Sequence, residues 1–482
     1  MDDQQPDRVN QTAATTPSTT WWRRPSSLGI LGGALALVVI AAGFAVGSAA
    51  RTPAAVSAVP ASSEPSVSPS AEIPVRPVPQ QAIPAAARTC SVESLTHDPR
   101  LGTFQAQVYN VATGEILFER DPDTPRATAS SMKILTAAAA LHVLGPDYRA
   151  STRVVAGPDA STIVLVGGGD LTLSRLPSGT EPVYTGAAHL DELAKKVTAA
   201  RKAAGISEPV RRILLDSTYF GGPTWDQSWP ATERQAGWLS HITALQVDAD
   251  RADPKAFLSP RGEDPIGRAG AAFAGYFPGA TAAVGTATTG ATELASVQSA
   301  PLSTLIPLML VPSDNTLAEM LGRQVAIKMG TGNTMAAVSQ AIPEALKTYG
   351  LDTSALTIAD TSGMSPNNAV PPAYLASLYL KVEAREANLG YIRDGLAVAG
   401  QTGTLGYSNR FTGANAVARG HIVGKTGSIT RAYTLGGFID AADGGTLAFV
   451  IYATGRVSES ARQGIDTVAT GFYRCGNGLS NH

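Results

Sequence analysis

Only two cysteines occur in the 482 residues, Cys90 and Cys475, and they bracket nearly all of the chain that has the composition to fold. In an oxidising compartment a lone pair at opposite ends predicts one disulfide; two unrelated free thiols is the other reading of the same count. A bridge would lay the first and last segments side by side. One domain would then be assembled from both ends of the chain, with the middle inserted into it.

The compartment is read from the N-terminal residues. Ser26 to Ala50 contains no charged residue and is long enough to cross a bilayer, which takes about 20 apolar residues. Arg23 and Arg24 precede it beside Trp21 and Trp22, so the positive-inside rule puts the N-terminus in the cytoplasm and everything after Arg51 outside. The expected layout is a cytoplasmic segment (1–25), a transmembrane signal-anchor (26–50) and a Pro/Ala/Ser-rich linker (51–88) that cannot bury enough apolar surface to fold. A signal peptide cleaved near Gly47-Ser48-Ala49-Ala50 is the rival reading; both export the rest of the protein. Formal net charge is −2 with 16% charged residues, which offers no basic field for nucleic acid. The six histidines are scattered and form no ligand cluster, so no metal or cofactor is expected.

Alternating runs follow Cys90. Thr103–Asn110 and 115–119 are parted by a Gly-containing turn and predict a strand pair; Ala432–Ile439 and Thr446–Tyr452, parted by Asp443-Gly444-Gly445, predict another. Together they predict an antiparallel sheet built from both ends, packed by a helix after Met132 and another from about Glu459 to Tyr473. In the middle, an apolar strand at Thr162–Val166, an amphipathic helix from Ala187 to Gly205 and a strand at Arg212–Asp216 predict a small α/β unit. The fold class is therefore mixed, α/β (α+β), with a main domain of residues 89–148 and 295–482 and an insertion at 149–294. The run Gly167-Gly168-Gly169-Asp170 lacks the spacing of a phosphate loop and reads as a tight turn.

Chemistry is concentrated in three short stretches. In Ser130-Ser131-Met132-Lys133 a helical start brings Ser130 and Lys133 onto one face, while Ser131 falls off it. A capped helix with a surface lysine would look the same. Two further stretches change the reading: Ser313-Asp314-Asn315 opens a helical run after a proline, and Lys425-Thr426-Gly427-Ser428 begins a strand. Serine acyl transfer without a histidine needs a nucleophile beside a lysine, a second hydroxyl to pass the proton on, and a cation for an anionic substrate group.

This set resembles the penicillin-recognising serine acyltransferases, whose boxes are Ser-x-x-Lys, Ser-x-Asn and Lys-Thr-Gly. The long stretch between the first two boxes is similar to the insertion of the DacB-like, low-molecular-mass class C D-Ala-D-Ala carboxypeptidase/endopeptidases. So are Val166–Leu173, Asp216–Phe220, Asp360–Asn368 and Gly403-Thr404-Leu405 with Arg410-Phe411. The resemblance implies a penicillin-binding, transpeptidase-like catalytic domain acting on peptidoglycan stem peptides ending in D-Ala-D-Ala, with β-lactams as inhibitors. It implies Ser130 as nucleophile, Lys133 as general base and Ser313 as proton relay. Asn315 would bind the substrate amide, Lys425, Thr426 and Gly427 the terminal carboxylate region, and the backbone N–H groups of Ser130 and Ser428 the oxyanion. A longer spacing around Gly406–Asn409 sets Arg410 apart from the family pattern. Asp360 and Ser362 are read either as lining or buttressing the cleft or as loop-structural, and Trp225 and Trp229 as packing between insertion and main domain, with stacking on a glycan as the other reading. A serine β-lactamase and a non-catalytic wall-binding or β-lactam-sensing module are the alternative functions.

Overall fold

The computed structural model describes residues 88–481. The expected cytoplasmic segment, the anchor at 26–50 and all but the last position of the linker lie outside the described residues. Among the described residues no helix is long and apolar enough to cross a membrane.

The chain enters through a short helix α1 (Glu93–Thr96), then β1 (Thr103–Asn110) and β2 (Ile116–Arg120), a hairpin closed over Thr113-Gly114. Helix α2 (Met132–Val143) follows, of small and apolar residues and buried from Met132 to Leu141. Next come β3 (Ser151–Ala156), β4 (Thr162–Gly167), α3 (Leu190–Ala203), β5 (Arg212–Asp216), the short α4 (Thr232–Gln235), α5 (Pro265–Ala274), β6 (Thr281–Val284) and β7 (Glu293–Gln298). These strands form one five-stranded sheet in the order β6-β5-β4-β3-β7. Its β4, β5 and β6 run parallel, while β3 pairs antiparallel with β4 and β7. Strand β7 carries this sheet to Gln298, past the expected boundary at 294, because its mixed polar sequence gives no alternation to read.

The chain then returns through α6 (Leu302–Leu310), α7 (Asn315–Lys328), α8 (Val338–Leu346), α9 (Pro372–Glu383), the short α10 (Gly390–Asp394), β8 (Ala397–Val398), β9 (Ile422–Ile429), β10 (Ala432–Asp440), β11 (Thr446–Thr454) and α11 (Ala461–Cys475). The main sheet is β2-β1-β11-β10-β9-β8, antiparallel throughout. The run Leu447–Ala453 in β11 is buried without alternation, as expected of a central strand covered on both faces. On one face α9 packs with α2, α6, α7 and α8; on the other α11 brings Ile465, Val468, Ala469 and Phe472 against the sheet. Cys90 and Cys475 form a disulfide, and Cys90 N–H donates to the Gly478 carbonyl at 2.9 Å, so the two ends of the described chain are joined.

One consequence positions the site. Strand β8 pairs with β9 only at Val423 and Gly424, so the outer edge of β9 from Lys425 onward is free of a strand partner and borders a cleft. The start of α2 and the start of α7 meet at the same cleft.

Candidate active site

Ser130 lies in a single 3-10 turn, Ala129–Ser131, that feeds directly into α2. One helical turn later Lys133 projects back towards it, and Lys133 Nζ lies 2.9 Å from Ser130 Oγ. The same nitrogen donates to Asn315 Oδ1 at 2.6 Å and to the Ser362 carbonyl at 2.6 Å. Those two partners can only accept. A neutral amine has two N–H bonds and one lone pair; with both N–H bonds taken by carbonyl oxygens, the lone pair is directed at the Ser130 hydroxyl. Lys133 is fully buried, and burial pulls its pKa down to about 8 against the opposing pull of Asp360, Asp314 and Glu319.

Ser313 precedes α7 with φ of 67°, a left-handed conformation that costs a non-glycine residue free energy and tends to persist where its surroundings enforce it. Next to it stands Asp314, the N-cap, whose Oδ1 accepts from Leu317 N–H at 2.9 Å. Its Oδ2 accepts from Arg251 Nη2 and from the Tyr184 hydroxyl, both at 2.8 Å. Burial alone would raise the Asp314 carboxyl; Arg251 and Arg261 outweigh it and hold the group ionised. Arg251 is 0% exposed, lies over the Tyr184 ring at 4.6 Å, and follows three consecutive left-handed residues, Asp248, Ala249 and Asp250. The insertion therefore grips the middle residue of the second box. Arg251 and Tyr184 were not singled out by sequence reasoning, and no local motif marks them.

Lys425 is buried in β9 and donates to Ser313 Oγ at 2.8 Å and to the Thr426 carbonyl at 2.7 Å. Burial, and then the charge of Lys133, push its pKa well below the usual lysine range. Thr426 Oγ1 meets Thr404 Oγ1 at 2.6 Å. Gly427 lets β9 lie against the Ser130 turn: a Cβ there would sit 2.2 Å from Thr434 Oγ1 and 2.6 Å from the Thr128 carbonyl. Ser428 is exposed at the cleft, its hydroxyl accepting from Arg462 Nη2 at 3.1 Å. Ser131 points away from the cleft and is buried, its hydroxyl 2.8 Å from Thr434 Oγ1. The cleft has a volume of about 680 Å³; Ser130, Ser313, Asn315 and Thr426 line it, with Glu233 and Trp238 contributed by the insertion.

The structure brings all eight sequence-predicted residues together: Ser130, Ser313, Asn315, Thr426, Gly427 and Ser428 line one cleft, and Lys133 and Lys425 lie buried behind it against Ser130 and Ser313. Asn315 is engaged on both sides, its Oδ1 with Lys133 and its Nδ2 with the Trp238 carbonyl at 3.1 Å. Arg410 makes a two-pronged ion pair with Asp466 at 2.9 and 2.6 Å, tying the loop after β8 to α11. Asp360 is a buried acceptor for Gly363 N–H (2.8 Å), Ser365 N–H (2.6 Å), the Asn368 amide (2.7 Å) and Trp229 Nε1 (2.8 Å). The Gly363 N–H belongs to the peptide unit whose carbonyl, that of Ser362, holds Lys133. Asp360 and Ser362 are therefore parts of one loop that buttresses the base, and Trp229 packs the insertion against it.

The sequence matches the D-Ala-D-Ala carboxypeptidase 3 (S13) family over residues 88–282 and 275–472. A carboxypeptidase of Mycobacterium tuberculosis is 33% identical over 398 residues, spanning 81% of this chain and 85% of that protein. Carboxypeptidase DacB of Mycolicibacterium smegmatis is 32% identical over 469 residues, spanning 95% and 99%. Among solved structures, penicillin binding protein 4 (dacB) from Haemophilus influenzae aligns with a TM-score of 0.64 at 19% identity, over 79% of this chain and 97% of that one. The same Haemophilus influenzae protein has been solved complexed with a β-lactam.

Proposed function

The chain belongs to the D-Ala-D-Ala carboxypeptidase 3 (S13) family, and from that premise we propose that its cleft hydrolyses peptidoglycan stem peptides through an acyl-enzyme on Ser130. The protein is a serine-type D-Ala-D-Ala carboxypeptidase, a penicillin-binding hydrolase. The observation that carries the reading is Lys133 Nζ at 2.9 Å from Ser130 Oγ with its two other contacts on pure acceptors.

The lone pair of Lys133 takes the Ser130 proton as Oγ bonds to the carbonyl carbon of the penultimate D-Ala. The resulting oxyanion is held by the backbone N–H groups of Ser130 and Ser428. Lys133 returns the proton, through Ser313, to the departing D-Ala nitrogen as the C–N bond breaks. Water then attacks the ester carbonyl carbon as Lys133 takes its proton, and Lys133 passes that proton to Ser130 Oγ as the C–O bond to the serine breaks, releasing the peptide acid and restoring Ser130. Lys425 supports the relay through Ser313 and, with Thr426 and Gly427, recognises the terminal carboxylate, whose negative charge would offset the burial that disfavours the protonated lysine; Asn315 orients the base and borders the substrate amide. An open cleft also suits cross-linked peptides, so endopeptidase activity is part of the proposal. The catalytic part acts outside the cytoplasm, held to the membrane by 26–50 or released if that segment is cleaved.

The test is labelling with a fluorescent penicillin. Wild type should label stably, Ser130→Ala should not label, and Ser131→Ala should label at a rate within about threefold of wild type, since the Ser131 hydroxyl only joins the turn to Thr434. An unlabelled wild type would defeat the proposal, and rapid loss of label would favour a β-lactamase. Digestion of a pentapeptide and of a cross-linked dimer then separates the two peptidase activities.

A further inference from the structure

Behind the cleft, out of reach of substrate, Glu319 is fully buried on the second turn of α7. Its Oε1 accepts from Thr361 N–H at 3.1 Å and Ser362 N–H at 2.8 Å, and its Oε2 accepts from the Thr361 hydroxyl at 3.2 Å. The next carbonyl along, that of Ser362, is the one that receives Lys133 Nζ. Glu319 and Asp360 thus hold the 361–363 backbone from two sides, and both carry charge towards the base. We infer that Glu319 is a positioning residue of the acylation step: it fixes the loop that orients Lys133, and its negative charge favours the protonated form of that base.

The charged and titratable groups around it are few. Lys133 comes from α2, Asp360 from the loop, Asp314 from the N-cap of α7 and Arg323 from α7 itself, while Lys425, from β9, is itself lowered by the charge of Lys133. Helix α8 turns only apolar side chains towards α7. Arg323 is partly committed elsewhere, donating to the Gly221 and Pro223 carbonyls. Burial and then Asp360 raise the Glu319 carboxyl to about 7, so both of its charge states fall in the working range.

Glutamine separates geometry from charge. In Glu319→Gln the Oε1 acceptor remains for both N–H groups, and the new Nε2 can donate to the Thr361 hydroxyl, which already has the Ala318 carbonyl at 3.1 Å as its own acceptor. One N–H of Nε2 is paired in this way and the second meets no acceptor among these groups, which costs the variant some stability. The experiment is the second-order rate of fluorescent penicillin labelling across about pH 6 to 9 for wild type, Glu319→Gln and Glu319→Ala, with melting curves alongside. Glu319→Gln should melt a little below wild type, keep the plateau rate, and label up to about twofold faster between about pH 7 and 8.5, converging on wild type towards pH 6, where Glu319 is itself protonated. Glu319→Ala, which strips the loop of its acceptor, should lose about tenfold or more on the plateau. A Glu319→Gln profile that superimposes on wild type, or falls equally at every pH, overturns the charge role; a Glu319→Ala plateau equal to that of Glu319→Gln overturns the positioning role. The inference rests on acylation of Ser130 by way of Lys133, and failure of that reading would look different: wild type itself would not label.

Discussion

Replacing Arg251 by methionine measures how far catalysis in the main domain depends on the inserted one. Methionine retains most of the aliphatic stem but removes the 2.8 Å bond to Asp314, the bonds to the Asp248 and Phe257 carbonyls at 3.1 and 3.2 Å, and the stacking on Tyr184. Asp314 is 2% exposed, so water cannot replace the guanidinium. Deleting one partner of such a buried pair costs about 3–5 kcal/mol, much of it the penalty of the stranded charge. Against a typical domain stability of about 5–15 kcal/mol the variant should still fold, with a clearly lower melting temperature. Locally, the Asp314 carboxyl loses the largest of the charges that keep it ionised and takes up a proton more readily. The cap on Leu317 then weakens, and the strained Ser313 is free to relax away from Lys425. Misplacement of a relay hydroxyl by about 1 Å costs on the order of a hundredfold, so penicillin labelling should slow about ten- to a hundredfold at a temperature well below melting.

Adding Asp314→Asn to Arg251→Met removes the stranded charge and should recover a substantial part of the lost stability while leaving labelling slow. The reasoning is refuted if Arg251→Met melts and labels like wild type. It is also refuted if the second substitution destabilises the first variant by as much as it destabilises wild type, because the two residues would then be acting independently.

Three other outcomes are expected. Because the base must be neutral and its pKa is lowered to about 8, the labelling rate of wild type should climb about tenfold per pH unit below that value and level off above it; a rate that is flat from about pH 6 to 9 would contradict the assignment of Lys133. Gly363→Ala should abolish labelling, since Gly363 has φ of +82° and an added Cβ would lie 1.8 Å from the Ala129 carbonyl, in the turn that carries Ser130; a labelled, wild-type-like variant would show that the turn can yield. Replacing Cys90 and Cys475 by serine should lower stability by about 2–5 kcal/mol, through loss of a crosslink closing 385 residues, without slowing labelling of the folded fraction; melting curves and labelling read the two effects separately.

What could be read along the chain is what is encoded locally. Strands β1 and β5 begin and end where alternation and apolar runs predict, and each of the three boxes is a contiguous stretch whose spacing reports its own geometry. What could not be read is what is encoded by burial across long separations. Arg251, Glu319 and Asp360 are charged residues of types that usually face water, and nothing next to them in sequence says that Asp314, the Thr361–Ser362 backbone or Trp229 will satisfy them. The left-handed run Asp248–Asp250 contains no glycine, so the turn that aims Arg251 carries only the weak signal of aspartate tolerance. The resemblance assigns Asn315 to the substrate amide, and its short contact with Lys133 is not legible in the sequence because it depends on how α2 and α7 pack.

These hidden contacts are also the ones that give the legible motif its chemistry. A Ser-x-x-Lys on a solvated helix would keep its lysine protonated near neutral pH and its serine inert. Burial beneath the 360–363 loop lowers the amine towards neutrality, the carboxylates of Asp360, Glu319 and Asp314 limit how far it falls, and the two carbonyl acceptors set the direction in which its lone pair points. Substitutions behind the cleft should therefore move the pH dependence and the rate of acylation while leaving every residue of the three boxes unchanged.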